Sequence, residues 1–404
     1  MQQQQLPVLI CGGGIAGLAL AYWLHRGGRH CIIVERSPSL RPSGQNIDIR
    51  GLARDVISWM GIDGSVKRSS TMEVGKHMID QSGRIWGSHP AQPNGFTAEL
   101  EILRSDLAHI LQEVVKDDVK IIYGDYIDDI VEKEDRVTVH FHESKESQDF
   151  SVVIGADGVG SKTRSIVFGE EALSAYRPIG LHQGFFSLPS LDMGPWARWL
   201  QAPGGRSILA RPNGKGGTTV LMGFTTSHGS TNKRAQWKSM EQVKVGLAEL
   251  YGDVGWEVPK LIEGMMTCDD LYFSEAAQIH LRSWSRGRVV LLGDAAHCPT
   301  SMSGMGTSCA LVGAYVLASE MCLHPFHPTE AFSEYERVLR PYMEKAQEIK
   351  PWQVSLLHPQ NMYQIWLGRG LSVLSSYLDL QKYLKREIKP EGIEVKSYED
   401  LWKS

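Results

Sequence analysis

The chain has 404 residues, of which 42% are hydrophobic and 22% charged, with 42 Lys and Arg against 46 Asp and Glu and a formal net charge of -4. That length allows two or three domains and a large core, and the composition is that of an ordinary globular protein. A general nucleic-acid binder is excluded, because no cationic surplus is present to meet phosphates.

The first ten residues, "MQQQQLPVLI", carry no basic segment and no cleavage-site pattern. No uninterrupted run of about 20 apolar residues follows, so no stable membrane span is expected, and the expected compartment is the cytoplasm. Cys11, Cys31, Cys268, Cys298, Cys309 and Cys322 form no CxxC pair and mostly sit in apolar runs. They read as buried thiols in a reducing compartment. His297-Cys298 lacks a second pair of ligands, so no metal is expected.

The first structural unit is "LPVLICGGGIAGLALAYWLHRGGRHCIIVERS". Val8 to Cys11 reads as an apolar strand, and Gly12, Gly14 and Gly17 place GxGxxG at its end. Ile15, Leu18 and Tyr22 then recur at helical spacing, flanked by Ala16, until Gly27-Gly28 stops the helix. Cys31 to Val34 reads as a second strand ending on Glu35. The glycines make a tight turn, admit a pyrophosphate to the backbone and let helix and strand pack closely. The helix start offers unpaired N–H groups to the phosphates, and Glu35 stands where a ribose-binding acid is expected. The unit therefore predicts a dinucleotide site, for NAD or FAD.

Further along, "GQNIDIRG" is a loop carrying Asp48 and Arg50, and residues 74–97 read as strands. "ELEILRSDLAHIL" leads into a helix with Arg104 at its start. "SVVIGADGVGSKTR" is an apolar strand entering a glycine turn with Asp157 at its tip, which on its own also reads as a helix cap. Residues 176–275 hold short strands such as "HQGFFSLP", "RWLQAP", "RSILARP" and "GTTVLMGFTT", divided by Gly, Pro and Asn turns. An antiparallel sheet is expected there, with a helix over "RAQWKSMEQVKVGLAELYG". Phe185, Phe186, Trp196, Trp199 and Met222 are candidates for an apolar pocket or for sheet packing.

"RVVLLGDAAHCPTSMSGMGT" then ends an apolar strand on Gly293 and Asp294. A buried carboxylate needs a partner, and the small residues around it supply none. A helix is predicted from about Gly306 to Met321. "PTEAFSEYERVLRPYMEKAQ" reads as an amphipathic helix with Thr329 as its N-cap and Glu330 in the first turn. Residues 351–404, with Trp366, Leu371, Leu374 and Tyr377, read as helices packed on the protein or on a second subunit.

GxGxxG, "GADG" and "GDAAH" in this order resemble the class A flavoprotein monooxygenases, the para-hydroxybenzoate hydroxylase family, over about residues 6 to 350. The size is most like compact members such as urate hydroxylases, tetracycline-inactivating monooxygenases and enzymes of secondary metabolism. The resemblance implies an α/β fold: a GR2-type Rossmann-like FAD-binding domain, a mixed or antiparallel substrate sheet and C-terminal helices. It implies FAD-binding segments 1–73, 98–175 and 276–350, a substrate domain of 74–97 and 176–275, and a helical segment 351–404.

The same resemblance implies that Asp294 accepts a hydrogen bond from a ribityl hydroxyl of FAD. The backbone of Gly304, Met305, Gly306 and Thr307 would approach the flavin pyrimidine edge, with the following helix dipole favouring reduction. Arg104 would reach the cofactor, Arg36 follows Glu35 as in many relatives, and Asp48 and Arg50 would lie near the ribityl chain or isoalloxazine. Asp157 would act from behind, on both FAD and the pyridine nucleotide. Ser301 replaces a proline common in relatives, and Gly313 replaces an acid.

The implied activity is an NAD(P)H- and oxygen-dependent monooxygenation of a small aromatic or polycyclic substrate through a C4a-hydroperoxide, by a monomer or homodimer. No side chain stands out as a substrate-activating base; His182, His280 and Tyr272 are candidates, and His297 reads as structural. Two alternatives share the fold: a flavoenzyme that reduces or isomerises without oxygen transfer, and a lipid-binding escort that has lost its cofactor. Intact Gly12, Gly14, Gly17, Glu35 and Asp294 speak against the escort.

Overall fold

The computed structural model describes residues 6–41, 44–91, 100–226, 237–377 and 395–402. A six-stranded sheet runs in the order Ser285–Arg286, Val289–Leu291, Val152–Gly155, Val8–Cys11, Cys31–Glu35, Lys120–Tyr123. All neighbours are parallel except the first pair. The central strands are buried along their whole length, which is why they read as continuous apolar runs. Val8, Ile10, Ile33, Val152 and Ile154 face the helices Ile15–Arg26, Gly306–Leu323 and Pro328–Gln347. Leu9, Val34 and Val153 face a three-stranded antiparallel sheet of Ile127–Glu132, Val137–Phe141 and Ser147–Phe150.

The helix Gly306–Leu323 is apolar all round because it is enclosed. By length and hydropathy it could cross a membrane, but 78% of it is buried in this core. Gly313 lets it approach the strand end closely, since a side chain there would meet Leu292 at 3.0 Å.

A seven-stranded mixed sheet has the order Tyr272–Ile279, Tyr176–Pro189, Gly217–Thr225, Arg206–Pro212, Trp196–Ala202, Gly75–Ile79, Ile85–Pro90. Only the pair between Trp196–Ala202 and Gly75–Ile79 is parallel. Alternation assigns Phe186, Leu200, Ile208, Val220, Met222 and Phe224 to one face, under the helices Met240–Tyr251 and Val258–Thr267. A two-stranded ribbon, Asn46–Asp48 against Glu101–Leu103, lies where the two large sheets meet.

Two expectations change. The helix expected from residue 234 is seen as Met240–Tyr251, capped by the Ser239 hydroxyl, and 234–236 lie outside the described residues. Thr329 is inside its helix, not at the cap: the helix begins at Pro328, whose fixed φ and missing N–H suit the first position. In the helix Met362–Tyr377, Trp366 and Leu371 point outward, 63% and 55% exposed, while Ile365 is buried. The side chains of Leu374 and Tyr377 lie outside the described residues.

Residues 395–402 pack on the core of the six-stranded sheet and its helices as a strap. Tyr398 and Trp402 are buried in it, the Trp402 indole N–H donates to Ser319 Oγ at 3.0 Å, and Lys396 pairs with the buried Glu320 at 2.8 Å. Trp402→Ala should lower the unfolding free energy by about 3 kcal/mol, read by chemical denaturation. A loss under about 1 kcal/mol would mean that the strap is not part of the cooperative core.

Candidate active site

The helix Ile15–Arg26 begins directly after Gly14 with no side-chain cap, so its first N–H groups remain available to a ligand. Gly12 has φ +115°, and a Cβ there would sit 2.5 Å from the Ala156 carbonyl oxygen. A Cβ on Gly17 would overlap the Gly12 carbonyl oxygen. Both glycines are therefore required by close approach, not only by flexibility. Ile15 and Ala16 are buried behind the turn. Glu35 closes its end: Oε2 accepts the Gly13 N–H at 2.7 Å and Oε1 the Ser37 N–H at 2.8 Å. Each oxygen keeps a second lone pair for a hydroxyl.

The second turn contributes backbone. Ala156 and the Asp157 Cα press on Gly12, while the Asp157 carboxylate turns inward to Ser161 Oγ at 2.5 Å and to the Thr163 N–H and hydroxyl, both at 3.0 Å. The N-cap of the helix Lys162–Phe168 is Ser161, whose Oγ accepts the Arg164 N–H at 2.9 Å; Asp157, four residues earlier, braces that cap and is not the cap itself. Arg164, which sequence reading passed over, joins this turn to the third. Its guanidinium donates to the Val159 carbonyl at 2.5 Å and the Ala295 carbonyl at 3.0 Å.

In the third turn, Gly293 has φ +62° and packs its backbone near Ala16, where an added Cβ would be 3.0 Å away. Asp294 lies beside the start of the helix Gly306–Leu323, with Oδ1 4.0 Å from where a Gly306 Cβ would be. Burial raises its carboxyl pKa, against the pull of the Cys298 thiol and Arg104. Burial lowers the pKa of Arg104, while Asp294, Tyr272 and Glu35 raise it and Arg41 lowers it further. The Arg104 guanidinium is 3.7 Å from where a Gly14 Cβ would be. It therefore stands between the first glycine turn and Asp294.

Gly304 completes the rim with φ +63° and Asp48 Oδ2 3.8 Å from its missing Cβ. Asp48 pairs with the buried Arg50 at 2.5 Å, and the Arg50 N–H donates to Ser308 Oγ at 3.0 Å. Met305 is buried, so this loop offers backbone around Gly304, Gly306 and Thr307. Arg36 is set apart: it is exposed beyond Glu35, and its charge acts on the Tyr126 phenol.

The seven-stranded sheet supplies a wall. Register aligns Tyr272, Phe185, Leu221, Leu209, Trp199 and Met78 across six strands on the face away from its helices. Polar residues of the same face flank that row, including Gln183 and Ser207 on one side and Thr219, Arg211 and Lys76 on the other. The Ser301 hydroxyl donates to Gln183 Oε1, joining the third turn to the wall. Of the expected pocket aromatics, Phe185 and Trp199 lie on this wall. Phe186 and Met222 pack under the helices, and Trp196 stacks on His77, because strand alternation sends them to the other face. His182 stacks near Phe224 and Phe273 on that far face, and His280 bonds Gln278 at 2.9 Å. Tyr272 is the one of the three base candidates on the wall row.

Residues 5–325 match the family model of the FAD binding domain. Monooxygenase CTB7 of Cercospora beticola is 34% identical over 99% of both chains. The chain belongs to the class A FAD-dependent monooxygenases. FAD-dependent monooxygenase asL6 of Sarocladium schorii is 31% identical over 96% of both chains. The crystal structure of the tetracycline destructase Tet(55) superposes with a TM-score of 0.79 at 30% identity, covering 98% of this chain and 100% of that one. Klebsiella pneumoniae HpxO, complexed with FAD and uric acid, shares the fold at TM-score 0.75 and 19% identity, covering 98% and 99%.

The residues fit the cofactor of this monooxygenase family. Glycine cradles, an uncapped helix start, two acceptor carboxylates and one guanidinium border the same cleft, the donor and acceptor set that a dinucleotide with a sugar-alcohol chain requires. Gly17→Ala should give protein that purifies colourless, with a flavin-to-protein absorbance ratio below about a tenth of wild type. A yellow, stoichiometric variant would contradict the close-approach argument.

His297 lies behind the motif, fully enclosed, with Nε2 3.2 Å from the Tyr335 hydroxyl. Burial holds its pKa down to about 3, against about 6.5 in an unfolded chain. The unfolded state therefore gains the proton first, and stability falls as pH drops from about 6.5 towards 3, by at most roughly 4–5 kcal/mol. His297→Asn should show a shallower acid loss in denaturation curves across that window. An unchanged slope would remove His297 as its cause.

Proposed function

We propose that this enzyme uses NAD(P)H to hydroxylate or epoxidise a flat aromatic or electron-rich small molecule, as a cytoplasmic enzyme of secondary metabolism. The observation that carries the reading is the meeting of three distant turns at one cleft, with an apolar row of the second sheet tied to it through Ser301 and Gln183. An apolar row between two polar ones suits a fused-ring core with polar edges. The tetracycline destructases support that shape class, since they superpose over nearly the whole chain.

In this reading residues 1–73, 98–175 and 276–350 hold FAD, and 74–97 with 176–275 form the substrate wall. FAD, when bound, takes reducing equivalents from the nicotinamide and activates oxygen for transfer. Gly12, Gly14 and Gly17 admit the pyrophosphate to the N–H groups of the first helix, with Ile15 and Ala16 supplying its first turn. Arg104 adds the countercharge. Glu35 accepts a ribose hydroxyl and Asp294 a ribityl hydroxyl. The backbone of Gly304, Met305, Gly306 and Thr307, at the positive end of the long helix, stabilises negative charge on the pyrimidine edge. Asp48 orders that loop from the ribbon, and Asp157 shapes its turn from within. Arg36 contributes its charge at the adenosine end. The wall positions substrate and keeps water from the reacting atoms.

Asp294→Ala should weaken FAD binding by about tenfold or more, measured by reconstituting apoprotein. Affinity within twofold of wild type would remove Asp294 from the cofactor site. The reaction class is tested with labelled dioxygen, NADH or NADPH, and a panel of polycyclic phenols. One labelled atom per nicotinamide oxidised is expected in the product. Turnover that leaves the label out would favour reduction or isomerisation on the same fold.

A further inference from the structure

Among the described residues, a dense buried charge cluster lies outside the nucleotide turns, where the ribbon meets the seven-stranded sheet. Arg211, on the strand Arg206–Pro212, grips Glu73 with Nε at 2.8 Å and Nη2 at 2.9 Å, and Nη2 also donates to Glu101 Oε2. Glu101 Oε1 accepts from the Thr71 hydroxyl and the Asn46 amide, both at 2.7 Å. The Asn46 amide also donates to the Pro212 carbonyl at 3.2 Å, and its oxygen accepts the Thr219 hydroxyl. Lys76 is buried on the same sheet face, with its ammonium 3.8 Å from the Trp199 ring centre. With Asp48 and Arg50, three acids and three bases of the described residues meet here.

The cluster also has a direction. Arg211 and Thr219 belong to the substrate sheet; Asn46, Asp48 and Glu101 belong to the ribbon, where Asp48 and Glu101 are direct register partners. Asp48 is in turn the carboxylate that borders Gly304. Three steps thus join the wall to the loop of the cofactor site. The Ser301–Gln183 bond joins the same two parts at another point.

We propose that Arg211 is a positioning residue: its fork, closed on Glu73 and Glu101, holds the ribbon against the substrate sheet and thereby sets the place of Asp48 and the Gly304–Thr307 loop around the flavin. This rests on the placement of FAD given above, and not on oxygen transfer. A lysine keeps the charge balance but lacks the planar fork, so Arg211→Lys tests geometry without leaving an unpaired carboxylate. Glu101→Gln keeps the shape and removes the ionic half of the bond.

The test is the FAD affinity of reconstituted apoprotein, measured where circular dichroism shows each variant folded, together with the visible spectrum of the bound flavin. Arg211→Lys and Glu101→Gln should each weaken FAD by about tenfold and shift the flavin band, although neither residue borders the glycine turns. Arg206→Lys is the control: Arg206 lies at the other end of the same strand and grips the exposed carboxylate of Asp253 through Nη1 and Nη2, away from the ribbon. It should change affinity by less than about twofold. If Arg211→Lys or Glu101→Gln fails to fold, Thr219→Val removes only the hydroxyl to Asn46 and should weaken FAD about threefold. FAD affinity unchanged in the folded variants, or an equal loss in Arg206→Lys, overturns the proposal. Should Asp294→Ala bind FAD normally, the cofactor placement itself fails; should it lose FAD while Arg211→Lys does not, only this proposal fails.

Discussion

A Cβ at position 12 would stand 2.5 Å from the Ala156 carbonyl oxygen, and one at position 17 would overlap the Gly12 carbonyl. These two contacts press the first helix, the first strand and the second turn into one block of backbone. The side chain that reaches over that block is Arg104, its guanidinium 3.7 Å from where a Gly14 Cβ would be. Arg164 then reaches from the second turn to the Ala295 carbonyl, and Ala16 meets Gly293, so the third turn shares the same floor. Three segments lying more than a hundred residues apart in sequence become one surface through glycine, alanine and one buried guanidinium.

Charge is handled with the same economy of side chains. Asp294 and Arg104 are the acid and base that face the cleft, and each moderates the cost of burying the other. Other carboxylates are committed to the fold: Asp157 braces the Ser161 cap, Glu73 and Glu101 hold Arg211, and Glu320 anchors the strap through Lys396. The acids of the candidate site, Glu35, Asp48 and Asp294, all stand at strand ends or on the ribbon. There a parallel sheet brings its carboxyl ends together, which is the usual place for a ligand in this type of fold.

The seven-stranded sheet follows a different rule. Each strand of the second sheet shows one face to its own helices and one to the cleft. Phe185 and Phe186 are adjacent in sequence, yet they serve opposite purposes. Composition cannot separate them, because both are phenylalanine. The register with Leu221, Leu209 and Trp199 separates them, and it sends Met222 and Trp196 away from the wall as well. Helix ends follow backbone chemistry as well: Pro328 displaces Thr329 from the cap because proline needs no N–H partner at the first helical position.

Local chemistry alone determined the nucleotide unit, since a strand, a glycine turn, a helix and a closing acid are contiguous from Val8 to Glu35 and each carries its own signal. Alternating short strands likewise announced a second sheet, and the order of three glycine-and-acid turns announced the family. Tertiary structure decided what those signals left open. It turned Asp157 inward, recruited Arg164 and Gln183, aligned one apolar row as a wall, and locked Arg211 between two acids. These outcomes depend on contacts between segments far apart in the chain, where register and burial, not the identity of neighbouring residues, choose the partner.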